Sequence, residues 1–172
     1  MTMQIETSHV GSLPRSKKVV DFIFAKEKEQ AYDEIAFDET MKEAVELTVK
    51  KQKDAGITIA SDGETSKISY ATYVKDRFHG FGGDSPRNAP ADLKLFPTYL
   101  EKLANDGGTP KYARPMCINK LESKNSNDLD KDISNLSLSI KNNSIKKGFM
   151  NSASPGCLLY TSPSPRDVEE SR

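Results

Sequence analysis

Two short polar segments of this sequence have the side chains needed to bind a small zwitterion. His9-Val10-Gly11-Ser12 and Asp62-Gly63-Glu64 each follow a run of residues that predicts a β-strand. Gly11 allows a ligand to approach the backbone closely, and Ser12 offers a hydroxyl and an amide donor to a carboxylate. Glu64 offers a negative charge to an ammonium group. An amino acid carries both groups, although tight turns after strands are the simpler explanation of the same residues.

Residues that bind metal ions are few. A catalytic zinc ion takes three protein ligands, usually from His, Cys and carboxylate side chains. Before residue 157, the imidazole and thiol groups belong to His9, His79 and Cys117, which show no motif spacing. We therefore expect no complete metal site and no catalytic residue in this chain. His9 is expected at a strand end, and Cys117 is expected to be a small core residue.

The elements that would position the two polar segments alternate between strand and helix. Hydrophobic spacing predicts helices that separate the strands, with Asp38 as the N-cap of the second helix and Gly56 at its end. Strands separated by helices pair in parallel, which brings their carboxyl ends to one edge of a sheet. The predicted strands cover residues 5–10, 57–60 and 148–151, and the main predicted helices cover residues 17–29, 39–55 and 128–146.

The fold class is therefore α/β, either a doubly wound sheet or a (β/α)8 barrel. A complete barrel needs roughly 200 residues or more, and this chain has 172. A barrel interpretation thus predicts a partial TIM barrel with the first strands and helices only. Between the second and third strands, the pattern predicts a helix over 70–78, a loop over 80–90, a helix over 92–103 and an extended segment over 114–121.

Composition excludes several functional classes. Lys and Arg number 25 and Asp and Glu number 25, so no basic surface for a nucleic acid is expected. No apolar run is long enough to cross a bilayer, and the first residues do not resemble a secretory signal. Two cysteines do not make a disulfide framework. These features favour a cytoplasmic protein with neither a nucleic acid nor a membrane as partner.

The last sixteen residues are expected to lie outside the folded part of the chain. Residues 157–172 have neither helical nor strand periodicity, and the Pro-Ser alternation in Ser162-Pro163-Ser164-Pro165 would not pack. The segment resembles the translation of a sequencing-library adapter. We therefore expect one folded region over residues 1–156 and a disordered, artefactual tail over 157–172, the alternative being a natural disordered tail.

With the elements in place, the motifs resemble those of the cobalamin-independent methionine synthase family. The first, His9-Val10-Gly11-Ser12-Leu13-Pro14-Arg15, resembles the first-strand signature of the family's catalytic C-terminal barrel. The second, Gln52-Lys53-Asp54-Ala55-Gly56-Ile57 with Ser61-Asp62-Gly63-Glu64, resembles its following block. Weaker similarity occurs at Arg77-Phe78-His79-Gly80-Phe81 and over residues 149–156. The similarity covers nearly all of residues 4–156.

The resemblance implies a site and a reaction. In the family, a zinc-bound homocysteine thiolate takes the methyl group from N5 of a methylated folate and becomes methionine. By position, Gly11 and Ser12 correspond to contacts of the homocysteine carboxylate, and Glu64 corresponds to a homocysteine-binding glutamate. Arg114 lies near the region that helps to bind the folate. The family's zinc ligands have no counterpart in this chain, and a family arginine after the Gly-Glu pair is replaced by Lys67.

The resemblance therefore predicts a fragment of a zinc-dependent methyltransferase, with homocysteine and a methylfolate-like donor as partners. The segment over residues 84–111 favours the shorter, stand-alone branch of the family. We expect the fragment to be inactive alone and to self-associate through exposed barrel edges. Two alternatives remain: a small α/β binding domain without catalysis, and alkyl transfer to another thiol on the same barrel.

Overall fold

The computed structural model describes residues 5–85, 93–106, 114–124 and 127–153. These residues divide into two compact units, one made of residues 5–68 and 127–152 and the other of residue 153 and the described residues between 69 and 124. In chain order, the elements are α1 (Lys17–Glu27), α2 (Glu34–Asp54), β1 (Ile59–Ser61), α3 (Tyr70–Lys75), β2 (Phe78–Ser85), a 3-10 turn (Leu93–Leu95), α4 (Pro97–Asp106), β3 (Arg114–Ser123), α5 (Asp128–Asn142) and β4 (Lys147–Phe149).

The first unit contains the predicted parallel strand pairing. β1 pairs in parallel with β4, and Ala60 lies opposite Gly148. The segment before Gly11 runs alongside β1, where Ser8 forms a parallel bridge with Ile59. The predicted strand over residues 5–10 is thus reduced to one bridge, because β1 offers only three residues for pairing. The mixed α/β class with parallel strands is confirmed.

Helices α2 and α5 cover the parallel strands with a small apolar core. Val49 is fully buried, and Val45 and Leu136 are each 5% exposed. These side chains pack together with Ala60 of β1. The helical spacing that predicted both helices therefore marks their buried faces. In the first half of α5, however, Leu129 and Ile133 are exposed in the described structure.

The N-cap of α2 differs from the sequence prediction. Asp33 caps the helix, and its carboxylate accepts from the backbone N–H groups of Ile35 at 2.9 Å and Ala36 at 3.0 Å. Asp38 lies inside the helix and pairs with Lys131 of α5 at 2.6 Å. The earlier start is stabilised by Phe37, whose ring lies edge-on to that of Phe22 in α1. Prediction of Asp38 as the cap was wrong because either aspartate can cap, and packing decides between them.

Gly148 in β4 lies where the crossover helix approaches the sheet most closely. A Cβ at this position would lie 2.1 Å from Cδ1 of Ile140 and 3.2 Å from the backbone oxygen of Ala60. We expect Gly148→Ala to cost about 1–3 kcal/mol in urea unfolding, because inserted carbon atoms overpack a filled contact. Ile140→Val removes the clashing Cδ1. The double variant should therefore lose less stability than the two single variants added together, and strict additivity would contradict the proposed contact.

The second unit contains an antiparallel strand pair that the sequence did not predict. β2 pairs with β3, with register shifts between His79 and Phe81 and between Gly82 and Ser85. The loop predicted over residues 80–90 is therefore wrong for residues 80–85, and residues 86–90 lie outside the described residues. Glycines suggested a loop, but here they permit a bulged strand with close backbone approach. A Cβ on Gly80 would lie 2.4 Å from the backbone oxygen of Lys120.

Other boundaries in the chain shift by a few residues. α3 ends at Lys75 where the predicted helix continued to residue 78, and the extended segment from Arg114 is confirmed as β3. α5 ends at Asn142, four residues before the predicted end, because Ser144 takes a left-handed conformation with φ 55°. Among the described residues, no helix combines the length and apolar character that crossing a bilayer requires. The predicted tail over 157–172 lies outside the described residues.

Candidate functional site

The side chain of Gln52 in α2 fixes the end of β1, where the next turn begins. Its Nε2 donates to the backbone oxygen of Ser61 at 2.8 Å, and its Oε1 accepts from the backbone N–H of Ser61 at 3.0 Å. Gln52 is 4% exposed and Ser61 is 1% exposed. A side-chain amide that satisfies both backbone groups of a buried residue fixes the end of the strand. The turn residues that follow therefore start from a defined position.

Two successive residues of this turn have left-handed backbone conformations. Gly63 has φ 60° and Glu64 has φ 54°. The oxygen of Gly63 accepts from the backbone N–H of Leu13 at 3.0 Å, which ties the loop after the first segment to this turn. The N–H of Glu64 donates to the carboxylate of Asp62 at 3.1 Å. A non-glycine residue with positive φ is uncommon, and such residues concentrate at functional sites.

A substitution at Gly63 tests this close packing. A Cβ at this position would lie 2.8 Å from Cγ2 of Thr48 and 3.2 Å from Cβ of Leu13. Gly56 also has positive φ, at 82°, but has open space where a Cβ would stand. Gly56→Ala should cost about 1–2 kcal/mol for the backbone conformation alone. Gly63→Ala should cost about 1–3 kcal/mol more because of overpacking. Equal losses in denaturant unfolding would show that the contacts of Gly63 do not matter.

Glu64 is the centre of a hydrogen-bonded cluster at the carboxyl ends of three parallel segments. The Ser12 hydroxyl, after the first segment, donates to Oε2 of Glu64 at 2.5 Å. The Asn151 side-chain amide, after β4, donates to Oε1 of Glu64. Glu64 is 7% exposed, whereas Ser12 is exposed to solvent. We call Ser12, Glu64 and Asn151 the strand-end cluster.

A buried ion pair adjoins the strand-end cluster. Nζ of Lys67 lies 3.2 Å from Oδ2 of Asp62, and the two side chains are 1% and 4% exposed. Lys67 also donates to the backbone oxygen of Asn151 at 3.2 Å. The ion pair therefore links the turn after β1 to the segment after β4. Removing one partner of such a pair leaves an uncompensated buried charge.

Arg15 supplies the second positive charge of the site. Its guanidinium donates to the backbone oxygens of Glu64 at 2.7 Å and Thr65 at 3.2 Å, as well as to that of Lys67. Burial lowers the pKa of Arg15, and the carboxylates of Glu64 and Asp62 oppose that change. Arginine stays charged in proteins. Two cations therefore accompany two carboxylates, so the site has no formal net charge.

The loop between the first segment and α1 offers backbone donors beside the cluster. Gly11 has φ 102°, a conformation that favours glycine. Among the described residues, the backbone N–H groups of Gly11 and Ser12 donate to no protein acceptor. Two successive free N–H groups next to a serine hydroxyl can receive a carboxylate.

The structure thus brings together Gly11, Ser12 and Glu64, the three residues that the sequence proposed for the amino acid. The backbone of Arg114 begins β3 in the other unit, and its side chain lies outside the described residues. His9 lies after the bridge at Ser8, and its Nε2 is buried with no hydrogen-bond partner in the described structure. Cys117 is a partly exposed residue of β3 with a free thiol, so the expectation of a core residue was wrong.

Sequence reasoning missed Asn151, Lys67 as a buried cation, and Arg15 as a clamp on the turn. Asn151 carried a partial signal, because it is the last residue of the predicted strand over 148–151, whereas Ser12 and Glu64 follow their predicted strands. Lys67 and Arg15 carried none, since their roles depend on burial. Within the described ranges, no three His, Cys, Asp or Glu side chains come together as a metal-binding group.

Comparison with known proteins shows that the fold of this chain is similar to that of a solved structure. No protein-family model matches the chain, and no curated protein matches it significantly. A solved structure of a B12-independent methionine synthase from Shewanella sp. W3-18-1, in complex with selenomethionine, matches with a TM-score of 0.60 and 18% sequence identity. The match covers 92% of this chain and 40% of the methionine synthase chain. The chain therefore shares the fold of part of a methionine synthase and spans less than half of that protein's length.

Proposed function

We propose that the chain is a partial (β/α)8 barrel of the methionine synthase kind, consisting of the first strands and helices only. We also propose that it binds the amino-acid end of homocysteine. The observation that carries this proposal is the 2.5 Å hydrogen bond between the Ser12 hydroxyl and the Glu64 carboxylate. It supports the proposal because it shows that the loop proposed to bind the carboxylate lies beside the side chain proposed to bind the ammonium group. The similar fold of a methionine synthase supports the same assignment.

Charge balance also favours a zwitterion. The N–H groups of Gly11 and Ser12 would receive the α-carboxylate, while the Ser12 hydroxyl keeps its one donor on Glu64. The carboxylate of Glu64 would receive the α-ammonium group, which gives a charge-assisted hydrogen bond. Since Asp62 and Glu64 are matched by Lys67 and Arg15, a ligand without net charge leaves the site neutral. A ligand that is only an anion or only a cation would give the site a net charge.

In the proposed reaction, the homocysteine sulfur forms a bond to the methyl carbon of a methylfolate-like donor as the bond from that carbon to the donor nitrogen breaks, and the thiol proton ends on that nitrogen. Zinc is proposed only for the full-length parent, where it would lower the pKa of the thiol. The described residues do not fit a zinc centre, because they contain no group of three suitable ligands. We therefore assign this chain the holding and orientation of the amino acid, with Arg114 proposed near the donor. The chain alone is expected to be inactive.

The proposal is tested by calorimetric titration of the full chain with L-methionine, which has the same amino-acid end as homocysteine. Two analogues each lack one group: 4-(methylthio)butanoate has no ammonium, and 3-(methylthio)propylamine has no carboxylate. We expect saturable binding of L-methionine and at least tenfold weaker binding of either analogue, because each loses charged hydrogen bonds. Equal affinity for all three molecules, or no saturation by L-methionine, would contradict the proposal.

A further inference from the structure

We infer that Asn151 is a further recognition residue, whose side-chain oxygen accepts a hydrogen bond from the ammonium group of the bound amino acid. The inference rests on the proposed function and adds to it a second acceptor beside Glu64. It also assigns Lys67 a positioning role.

The first observation concerns the orientation of the Asn151 side chain. Nδ2 donates to Oε1 of Glu64, and this contact fixes which end of the amide faces the carboxylate. Oδ1 is then a buried oxygen, and among the described residues it has no hydrogen-bond partner. A buried acceptor without a donor costs free energy, and such groups are rare in folded proteins. A ligand with N–H donors would remove this cost.

The second observation concerns the capacity of the Glu64 carboxylate. Each of its oxygens receives one hydrogen bond, from Ser12 and Asn151. A carboxylate has about four acceptor positions, so each oxygen can accept another. An ammonium group has three N–H donors. The Glu64 carboxylate and Asn151 Oδ1 can therefore accept from the same ammonium group.

The third observation concerns how Asn151 is held. Lys67 Nζ donates to the Asn151 backbone oxygen at 3.2 Å, while its charge is paired with Asp62. Lys67 is 2% exposed, so it is out of reach of a ligand in solution. It fixes the segment after β4 against the turn that carries Glu64. The two ammonium acceptors are thereby kept at a set separation before the ligand arrives.

The inference is tested with Asn151→Ala, with Asn142→Ala as the matched control. Asn142 also donates from its side chain to a glutamate, Glu46, at 3.2 Å, but on the surface between α2 and α5. We expect Asn151→Ala to weaken L-methionine binding about tenfold, the effect of one lost hydrogen bond to a charged group. It should leave binding of 4-(methylthio)butanoate within about twofold, since that molecule has no ammonium. Asn142→Ala should change neither affinity.

Each other outcome has a distinct meaning. Unchanged L-methionine binding by Asn151→Ala would overturn the inference and leave the proposed function standing. An equal loss for both ligands would show a structural role only, and would also overturn it. If the unaltered chain does not bind L-methionine, the proposed function is contradicted, and the inference that rests on it falls with it. Should the variant not fold, the side-chain amide NMR signals of Asn151 in the unaltered chain decide: they should shift on addition of L-methionine, and unshifted signals at saturation would refute the inference.

Discussion

Replacing Lys67 by methionine is expected to lower the free energy of unfolding by about 3–5 kcal/mol, the usual cost of breaking a buried ion pair by removing one partner. Methionine has a similar length, so the change removes the charge rather than the volume. Asp62, 3% exposed, would be left without its cation. The hydrogen bond from Lys67 to the Asn151 backbone oxygen would also be lost. Urea unfolding followed by circular dichroism measures the effect.

Lys131→Met is the matched control for Lys67→Met. Lys131 pairs with Asp38 at 2.6 Å, but the two side chains are 50% and 43% exposed. Such surface pairs contribute about 0–1 kcal/mol, so this variant should stay close to the unaltered chain. Adding Asp62→Asn to Lys67→Met removes both buried charges and should recover part of the lost stability. If the two single lysine variants lose similar amounts, the buried pair does not have the proposed role.

Replacing Glu64 by glutamine is expected to weaken L-methionine binding by about 100-fold or more. Truncating one partner of a buried charge pair costs about 2–5 kcal/mol, which corresponds to factors of roughly 30 to several thousand. Glutamine has nearly the same shape as glutamate and keeps one oxygen acceptor for Ser12 or Asn151. The loss therefore reports the charge that would face the ammonium group. Calorimetric titration with L-methionine measures it.

The control for Glu64→Gln is Glu46→Gln in α2. Glu46 accepts from the side chains of Asn142 at 3.2 Å and Asn143 at 2.7 Å, so it too is a carboxylate bonded to asparagine amides. It lies between α2 and α5, outside the strand-end cluster. Its variant should bind L-methionine as the unaltered chain does. Retention of full affinity by Glu64→Gln would remove Glu64 from the proposed site.

The contact between Ser12 and Glu64 could be anticipated from sequence because it depends on a general property of parallel sheets. Their strands end at one edge, so residues that follow successive strands meet there. The short runs before Gly11 and Ser61 were enough to predict two such ends. Asn151 obeys the same rule, but it was placed within the predicted strand over 148–151. β4 ends at Phe149, and those two residues decide whether Asn151 belongs to the strand or to the site.

Other features of the fold and the site are decided by tertiary packing, and the local sequence does not predict them. Both Asp33 and Asp38 can cap a helix, and the contact between Phe37 and Phe22 favours the earlier start. The sequence around Gly80 predicts a loop, and only the close approach of β3 shows why a strand has glycine there. Lys67 looks like any surface lysine, since nothing in its immediate sequence shows that it is 2% exposed. Charged residues are almost never buried without a partner, and the partner is visible only in the fold.

A crystal structure of the chain with L-selenomethionine would test the central claim most directly, because the anomalous signal of selenium locates the ligand independently of its density. We predict the ammonium group within hydrogen-bond distance of the Glu64 carboxylate and Asn151 Oδ1, and the carboxylate group at the N–H groups of Gly11 and Ser12. A selenium position away from these residues, or a ligand whose ammonium group points away from Glu64, would contradict the account.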